Sequence, residues 1–339
     1  MPNRNNRPTL SDVAKLAEVG TTTVSRVING GQHVAPEMLA RIQRVMTELG
    51  YQPNQAARSL KNARSKTIGL IIPSITDPFF AHFAAVVESV ARQQDYVVLL
   101  LTSHDRGERE LVDLEIFERH RVDGLLIAPP RTGSKALMEQ LKRLSVPVVA
   151  IDRPLSSQNY SRVLCDNYLA AQHAMQHLVK HGRKKILVLG GDPNLYTIRQ
   201  RVDGCVSITS SVGLDSIVEM EAADYPSAEA AIMKRMKQKG GIDAIFALYN
   251  QSTIYAYEVL QNHGIPVPQR VSLIGFDDFT LASTLRPSVT VVGQAVADMA
   301  KTATQLLLNH MSGETVSPQQ IEIATNLVIR QSCGCPPST

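Results

Sequence analysis

The sequence predicts a small all-α helix-turn-helix head followed by a larger α/β core of two lobes with parallel sheets. Three observations lead there. Two short helical patterns with a tight turn between them, at 9–17 and 21–29, open the chain. After residue 65 the pattern changes to near-continuous apolar runs separated by helical stretches, and that series later restarts. Charge divides at the same place: residues 1–66 hold ten Lys/Arg against four Asp/Glu, a net +6, and the rest hold 25 against 27, a net −2. A basic head on a faintly acidic body suits a head that binds phosphates and a body with another task. A chain of 339 residues suits two or three domains.

In the head, Ser11 and Asp12 supply capping chemistry for a first helix over 13–17, with Ala14, Leu16 and Ala17 facing a small core. Glu18-Val19-Gly20 forms the turn. A second helix runs over 21–28 and ends at Asn29-Gly30-Gly31. Its Val24, Val27 and Ile28 recur at helical spacing and pack inward. Thr21, Thr22, Ser25 and Arg26 then face outward, where hydroxyls and a guanidinium can reach base edges or phosphates in a major groove. A third helix over 36–49, capped by Gly50, closes the core with Met38, Ile42, Val45 and Met46. Pro53 and Asn54 begin a short helical segment lined by Ala56, Ala57 and Leu60. That segment is either an apolar wedge for a minor groove or a plain tether.

In the body, the apolar runs 67–73, 96–101, 122–128 and 146–151 read as strands buried on both faces, with helices between them. The series restarts at 185–190, 244–248 and 271–275. Two such series make two α/β lobes, and ligands of open α/β sheets bind at the carboxyl ends of the strands. The polar and aromatic residues at those ends are the candidates for a small-molecule site: Asp77, Phe79 and Phe80, Arg131, Asp152 and Arg153, Asp166 and Asn167, Thr197 and Arg201, Tyr249 and Asn250, Asp277, and Gln294.

The motifs Thr-Leu-Ser-Asp-Val-Ala at 9–14, Thr-Val-Ser-Arg-Val-Ile-Asn at 23–29 and Tyr-Gln-Pro-Asn-Gln-Ala-Ala-Arg-Ser-Leu at 51–60 occur in order, and the head resembles that of the LacI/GalR family of bacterial transcription regulators. The body carries Ile71–Phe80, Val122-Asp-Gly-Leu-Leu-Ile127, Arg201-Val-Asp-Gly204, Gly275-Phe-Asp-Asp278 and Leu327-Val-Ile-Arg330, and is similar to that family's periplasmic-binding-protein-like core. The resemblance implies a helix-turn-helix DNA-binding domain at 1–50, a hinge helix or linker at 51–65, and an effector-binding and dimerisation core at 66–339. One lobe would comprise about 66–163 and 293–324, the other about 164–292 and 325–339. It also implies DNA contacts from Thr21, Thr22, Ser25, Arg26 and Asn29, and a hinge served by Asn54, Ala57 and an intercalating Leu60. Arg201 and Asp277 would hold ligand hydroxyls, and Gln294 would line the cleft. The turn departs from the family's Gly-Val-Ser, which implies a slightly less stable head.

The expectation is therefore a cytoplasmic homodimer that binds pseudo-palindromic double-stranded operator DNA, represses carbohydrate or sugar-acid catabolism genes, and answers to a small-molecule effector. No heptad run near the C-terminus argues for a tetramer. Arg153 and Arg201, with Arg199 nearby, suggest a positive pocket and a sugar acid such as 2-ketogluconate or gluconate. A neutral sugar, a sugar phosphate, a nucleoside, or action by corepression are the alternatives. A free-standing sugar-binding protein would need an export signal, and the N-terminus has no apolar h-region. No apolar run is long enough to cross a bilayer, so no membrane partner is expected. The enzyme reading is poor: Gly190-Gly-Asp-Pro is not a dinucleotide fingerprint, and no P-loop is present. No cofactor or metal is expected. Cys333 and Cys335 read as free thiols because no second pair completes a site, and His173 and His177 read as a solvated helix face.

Overall fold

The computed structural model describes residues 8–28, 34–52, 64–130, 134–214, 217–220, 222–313 and 317–335. The chain forms two compact units, Met1–Ser65 and Lys66–Thr339.

In the first unit, helices α1 (Leu10–Leu16), α2 (Thr21–Ile28) and α3 (Pro36–Glu48) enclose a core of Val13, Ala14, Ala17, Val24, Ile42 and Val45. Helix α1 begins earlier than the sequence suggests. Thr9, not Ser11, is its cap: the Thr9 hydroxyl accepts from the Asp12 N–H at 3.3 Å, and the Asp12 carboxylate accepts from the Thr9 N–H at 2.8 Å. This reciprocal box satisfies two otherwise orphaned donors, which draws Ser11 into the helix. Leu16, expected in the core, is 55% exposed, because the inward face of α1 is set by Val13, Ala14 and Ala17. Glu18 in the turn is left-handed at φ +51°.

In the second unit, β1 (Thr67–Ile72), β2 (Val97–Thr102), β3 (Gly124–Ile127), β4 (Val148–Ile151) and β5 (Ser161–Cys165) alternate with α4 (Pro78–Arg92), α5 (Gly107–His120) and α6 (Lys135–Leu144). The chain then crosses into β6 (Ile186–Leu189), β7 (Ile217–Glu219), β8 (Ala244–Ala247), β9 (Ser272–Phe276) and β10 (Thr290–Gln294), interleaved with α7 (Asn167–Lys180), α8 (Tyr196–Ser211), α9 (Tyr225–Met236) and α10 (Asn250–Asn262). It returns through α11 (Val296–Met311) and β11 (Gln320–Ile323), and crosses again to β12 (Thr325–Val328). The sheets are ordered β11-β5-β4-β3-β1-β2 and β12-β10-β9-β8-β6-β7. Every pairing is parallel except β10 with β12.

Helices α4 and α11 bury one face of the first sheet through Phe80, Phe83, Met299 and Leu307, and α5 and α6 bury the other through Leu114, Phe117 and Leu141. In the second sheet α7 and α8 pack against one face and α9 and α10 against the other. The expected lobe boundaries at 163/164 and 292/293 fall inside strands. The β5 ladder runs on to Cys165 opposite Ile323, and the β10 ladder to Gln294 opposite Thr325, so the chain changes sheets only after those pairs are complete.

Candidate functional site

The carboxyl ends of both sheets face a common cleft of about 290 Å³. That volume is near the lower end of ligand pockets, which run from roughly 300 to 1,000 Å³. Each wall presents an aspartate held in left-handed backbone at the end of a central strand: Asp152 after β4, φ +61°, and Asp277 after β9, φ +71°. Non-glycine residues are uncommon there, asparagine and aspartate least so, and such outliers cluster at ligand sites. Burial pushes both carboxyls above the usual range, opposed in Asp152 by Arg153 and Arg201 and in Asp277 by Arg201, the Gln294 amide and the Asn250 N–H.

In the first lobe, Asp77 caps α4, its carboxylate accepting from the Phe79 N–H at 2.9 Å. Burial, then the charge of Asp277 across the cleft, raise its pKa to about 6. Phe79 and Phe80 meet edge to face at 4.9 Å and line the same wall. Arg153 is buried; it pairs with Asp105, and its Nε lies 3.3 Å from Asp152.

In the second lobe, Arg201 is buried on α8. Its Nε donates to Asn167 Oδ1 at 2.8 Å and its Nη1 to the Leu248 carbonyl at 2.6 Å. Its guanidinium stacks 3.5 Å over the Phe276 ring and lies 4.0 Å from Asp277. Gln294, the last residue of β10, donates to Asp277 at 2.5 Å, and its own Oε1 has no partner among the described residues. Thr197 lines the cleft from the first turn of α8. Tyr249 lines it while its hydroxyl donates to the Ala222 carbonyl at 2.8 Å.

Three sequence candidates serve the walls rather than the cleft. Asp166 accepts from the Thr325 N–H at 3.1 Å across a crossover, Asn167 positions Arg201, and Asn250 is buried behind Asp277. Arg131 lies outside the described residues. The lining also includes Ser74, Asp105, Asp192, Leu195 and Ile198, which strand-end reasoning missed because loops and a helix start supply them.

Among the described residues the lining is not positive. Five aspartates (77, 105, 152, 192 and 277) face two arginines (153 and 201), both already engaged, and Arg199 is exposed away from the cleft. Sequence order shows the arginines but not the carboxylates that folding brings to them.

In the head, Thr21, Thr22 and Arg26 are exposed on α2, and Ser25 is half-buried. Asn29, Asn54, Ala57 and Leu60 lie outside the described residues. No helix among the described residues is long and apolar enough to cross a membrane.

Residues 65–331 match the family model "Periplasmic binding proteins and sugar binding domain of LacI family", and residues 9–54 match "Bacterial regulatory proteins, lacI family". The chain is 30% identical over 328 residues to a ribose operon repressor of Haemophilus influenzae, spanning 96% of this chain and 98% of that one. A solved complex of the transcriptional regulator CelR with cellobiose is 29% identical, with a TM-score of 0.72 over 96% of this chain and 100% of that one. The lac repressor dimer bound to operator and the anti-inducer ONPF, 24% identical, shares the fold at a TM-score of 0.86 over 97% of this chain and 99% of that one.

Proposed function

We propose, from the premise that this chain belongs to the LacI family of bacterial regulatory proteins, that it represses transcription under the control of a neutral sugar of about monosaccharide size held between its lobes. Family membership makes it a sugar-responsive transcriptional regulator and not an enzyme. The observation that carries the choice of effector is the cleft's charge: among the described residues five aspartates line it against two arginines, and Asp77 and Asp192 form no ion pair with either. A sugar acid would add a further carboxylate to a wall whose Asp77 is already pushed up, first by burial and then by the charge of Asp277. Phe79 and Phe80 offer apolar surface to a pyranose or furanose ring. Neutral sugars also recur among the relatives, one named for the ribose operon and one solved with the disaccharide cellobiose.

Titration calorimetry of the full-length protein with pentoses, hexoses and gluconate tests this reading. A neutral sugar is expected to bind, and more tightly as pH rises through about 6, because its hydroxyls donate to ionised Asp77. Tighter binding of gluconate than of any neutral sugar would overturn it.

On the DNA side, Thr21, Thr22, Ser25, Arg26 and Asn29 read the major groove of a half-site. Asn54, Ala57 and Leu60 serve a hinge, and a homodimer spans the pseudo-palindrome. Leu60→Gly is expected to weaken operator binding in a mobility-shift assay and to leave sugar affinity unchanged; loss of sugar binding instead would sink the hinge assignment.

A further inference from the structure

Sequence spacing leaves Cys333 and Cys335 as thiols without a completing pair and His173 and His177 as a solvated helix face; the fold brings His177 and the two thiols together. His177 lies in the last turn of α7 and His181 caps that helix four residues on, so both imidazoles leave the same face. Their rings are 4.6 Å apart. Beyond β12 the chain returns over this helix end. Cys335 Sγ lies 3.1 Å from His181 Nε2 and 3.5 Å from His177 Nε2. Cys333 is fully buried beside them, and the ligand atoms of His177, Cys333 and Cys335 all lie within 4.8 Å of one another. Gly334, between the cysteines, is left-handed at φ +95°, a bend that glycine adopts freely and that folds both sulfurs to one spot. His173 stays exposed and outside the group.

We propose that His177, His181, Cys333 and Cys335 form a zinc site that fastens the segment after β12 to the end of α7. Tetrahedral ligands at roughly 2.0–2.3 Å from zinc lie about 3.3–3.8 Å from one another. The Cys335–His177 separation of 3.5 Å lies within that range and the Cys335–His181 separation of 3.1 Å just below it, while the donor atoms of His177, Cys333 and Cys335 all lie within 4.8 Å of one another. The two histidines have the usual H-x₃-H spacing; the thiolate pair is one residue tighter than usual, and the Gly334 bend supplies the reach. A helix carboxyl end also favours a cation. On binding, each cysteine releases its thiol proton to solvent and gives a sulfur lone pair to the metal. The histidines bind as neutral imidazoles through Nε2, so zinc with two thiolates is neutral overall. Mixed thiolate and imidazole donors suit zinc and not magnesium or calcium. None of the four residues lines the effector cleft.

The test uses the untagged full-length protein, reduced, stripped with a chelator and titrated with Zn²⁺ against a chromophoric competitor. One zinc per chain is expected, and Co²⁺ in its place should give a sulfur-to-cobalt charge-transfer band. Cys335→Ser and His181→Ala, at accessible positions, should each weaken zinc affinity at least ~10-fold. Circular dichroism and sugar binding should stay unchanged in both variants, which separates loss of ligand from loss of fold. Absence of zinc uptake, equal affinity in the variants, or a cobalt protein without the sulfur band would each overturn the assignment.

Discussion

Arg201 shows how one side chain can be both wall and site. Its two hydrogen bonds tie α8 to Asn167 at the start of α7 and to the carbonyl at the end of β8, and the ring of Phe276 covers its flat face. Those contacts fix the guanidinium beside Asp277, which is buried and would otherwise be an uncompensated charge. Arg201→Leu should therefore lower core stability by about 3–5 kcal/mol in urea denaturation; a loss below about 1 kcal/mol would mean that Asp277 does not depend on it. Glu110, in the first turn of α5, has no such partner. Burial, reinforced by Asp113, raises its pKa from 4.5 to about 8. The folded chain then holds a proton that the unfolded chain releases between those values. Stability from this group is complete below about 4.5 and lost by about 8, at up to about 1.4 kcal/mol per pH unit. Glu110→Gln lacks that proton uptake, so its stability relative to the native chain should rise from pH 5 to 8 and level off above; parallel curves would refute the buried acid. Neither environment is legible in sequence, because the partners of Arg201 lie 34 and 47 residues away and only folding assembles them.

At the scale of elements, what the sequence reveals tracks burial. Strands β1, β3, β4, β6, β8 and β9 are buried nearly throughout and read directly as apolar runs. Strands β7, β11 and β12 lie at sheet edges and are half-exposed, so their composition resembles that of loops. β5 carries Ser161 and Arg162, whose polarity hides a strand in which every residue but Arg162 is buried. The motif glycine at 204 has a packing cause: a Cβ there would stand 2.4 Å from the Tyr168 carbonyl oxygen, where α8 crosses α7. Gly204→Ala should cost about 1–3 kcal/mol by overpacking. It should also weaken sugar binding, since the same helix carries Thr197 and Arg201 into the cleft. Thermal melting with and without sugar separates the two effects, and a shift in neither would refute the close approach. The paired motifs Gly275-Phe-Asp-Asp278 and Leu327-Val-Ile-Arg330 likewise meet, through two hydrogen bonds from Arg330 to Asp278 at 3.0 and 2.7 Å that brace the loop bearing Asp277.

For the whole molecule, a sugar can alter operator affinity only through contacts that differ between two arrangements of the lobes; one that binds both equally shifts nothing. The cleft supplies such a difference. Asp77 and Asp152 project from one wall and Asp277 from the other, and Asp277 is among the charges that raise the Asp77 pKa. Like charges across a gap favour the separated arrangement until hydroxyl donors bridge them. Asp77→Asn removes one charge and keeps the cap of α4, because asparagine caps a helix as well as aspartate does. The variant should rest closer to the closed arrangement without sugar, so the ratio of operator affinities with and without saturating sugar should shrink toward one. Reciprocity then requires that operator DNA change sugar affinity by the same reduced factor, from a starting coupling of about 1–3 kcal/mol. Fluorescence anisotropy on an operator duplex gives the first ratio, and calorimetry with and without DNA gives the second. If Asp77→Asn lowers sugar affinity but leaves the ratio at saturation unchanged, the carboxylates only hold the sugar, and the coupling arises elsewhere in the core.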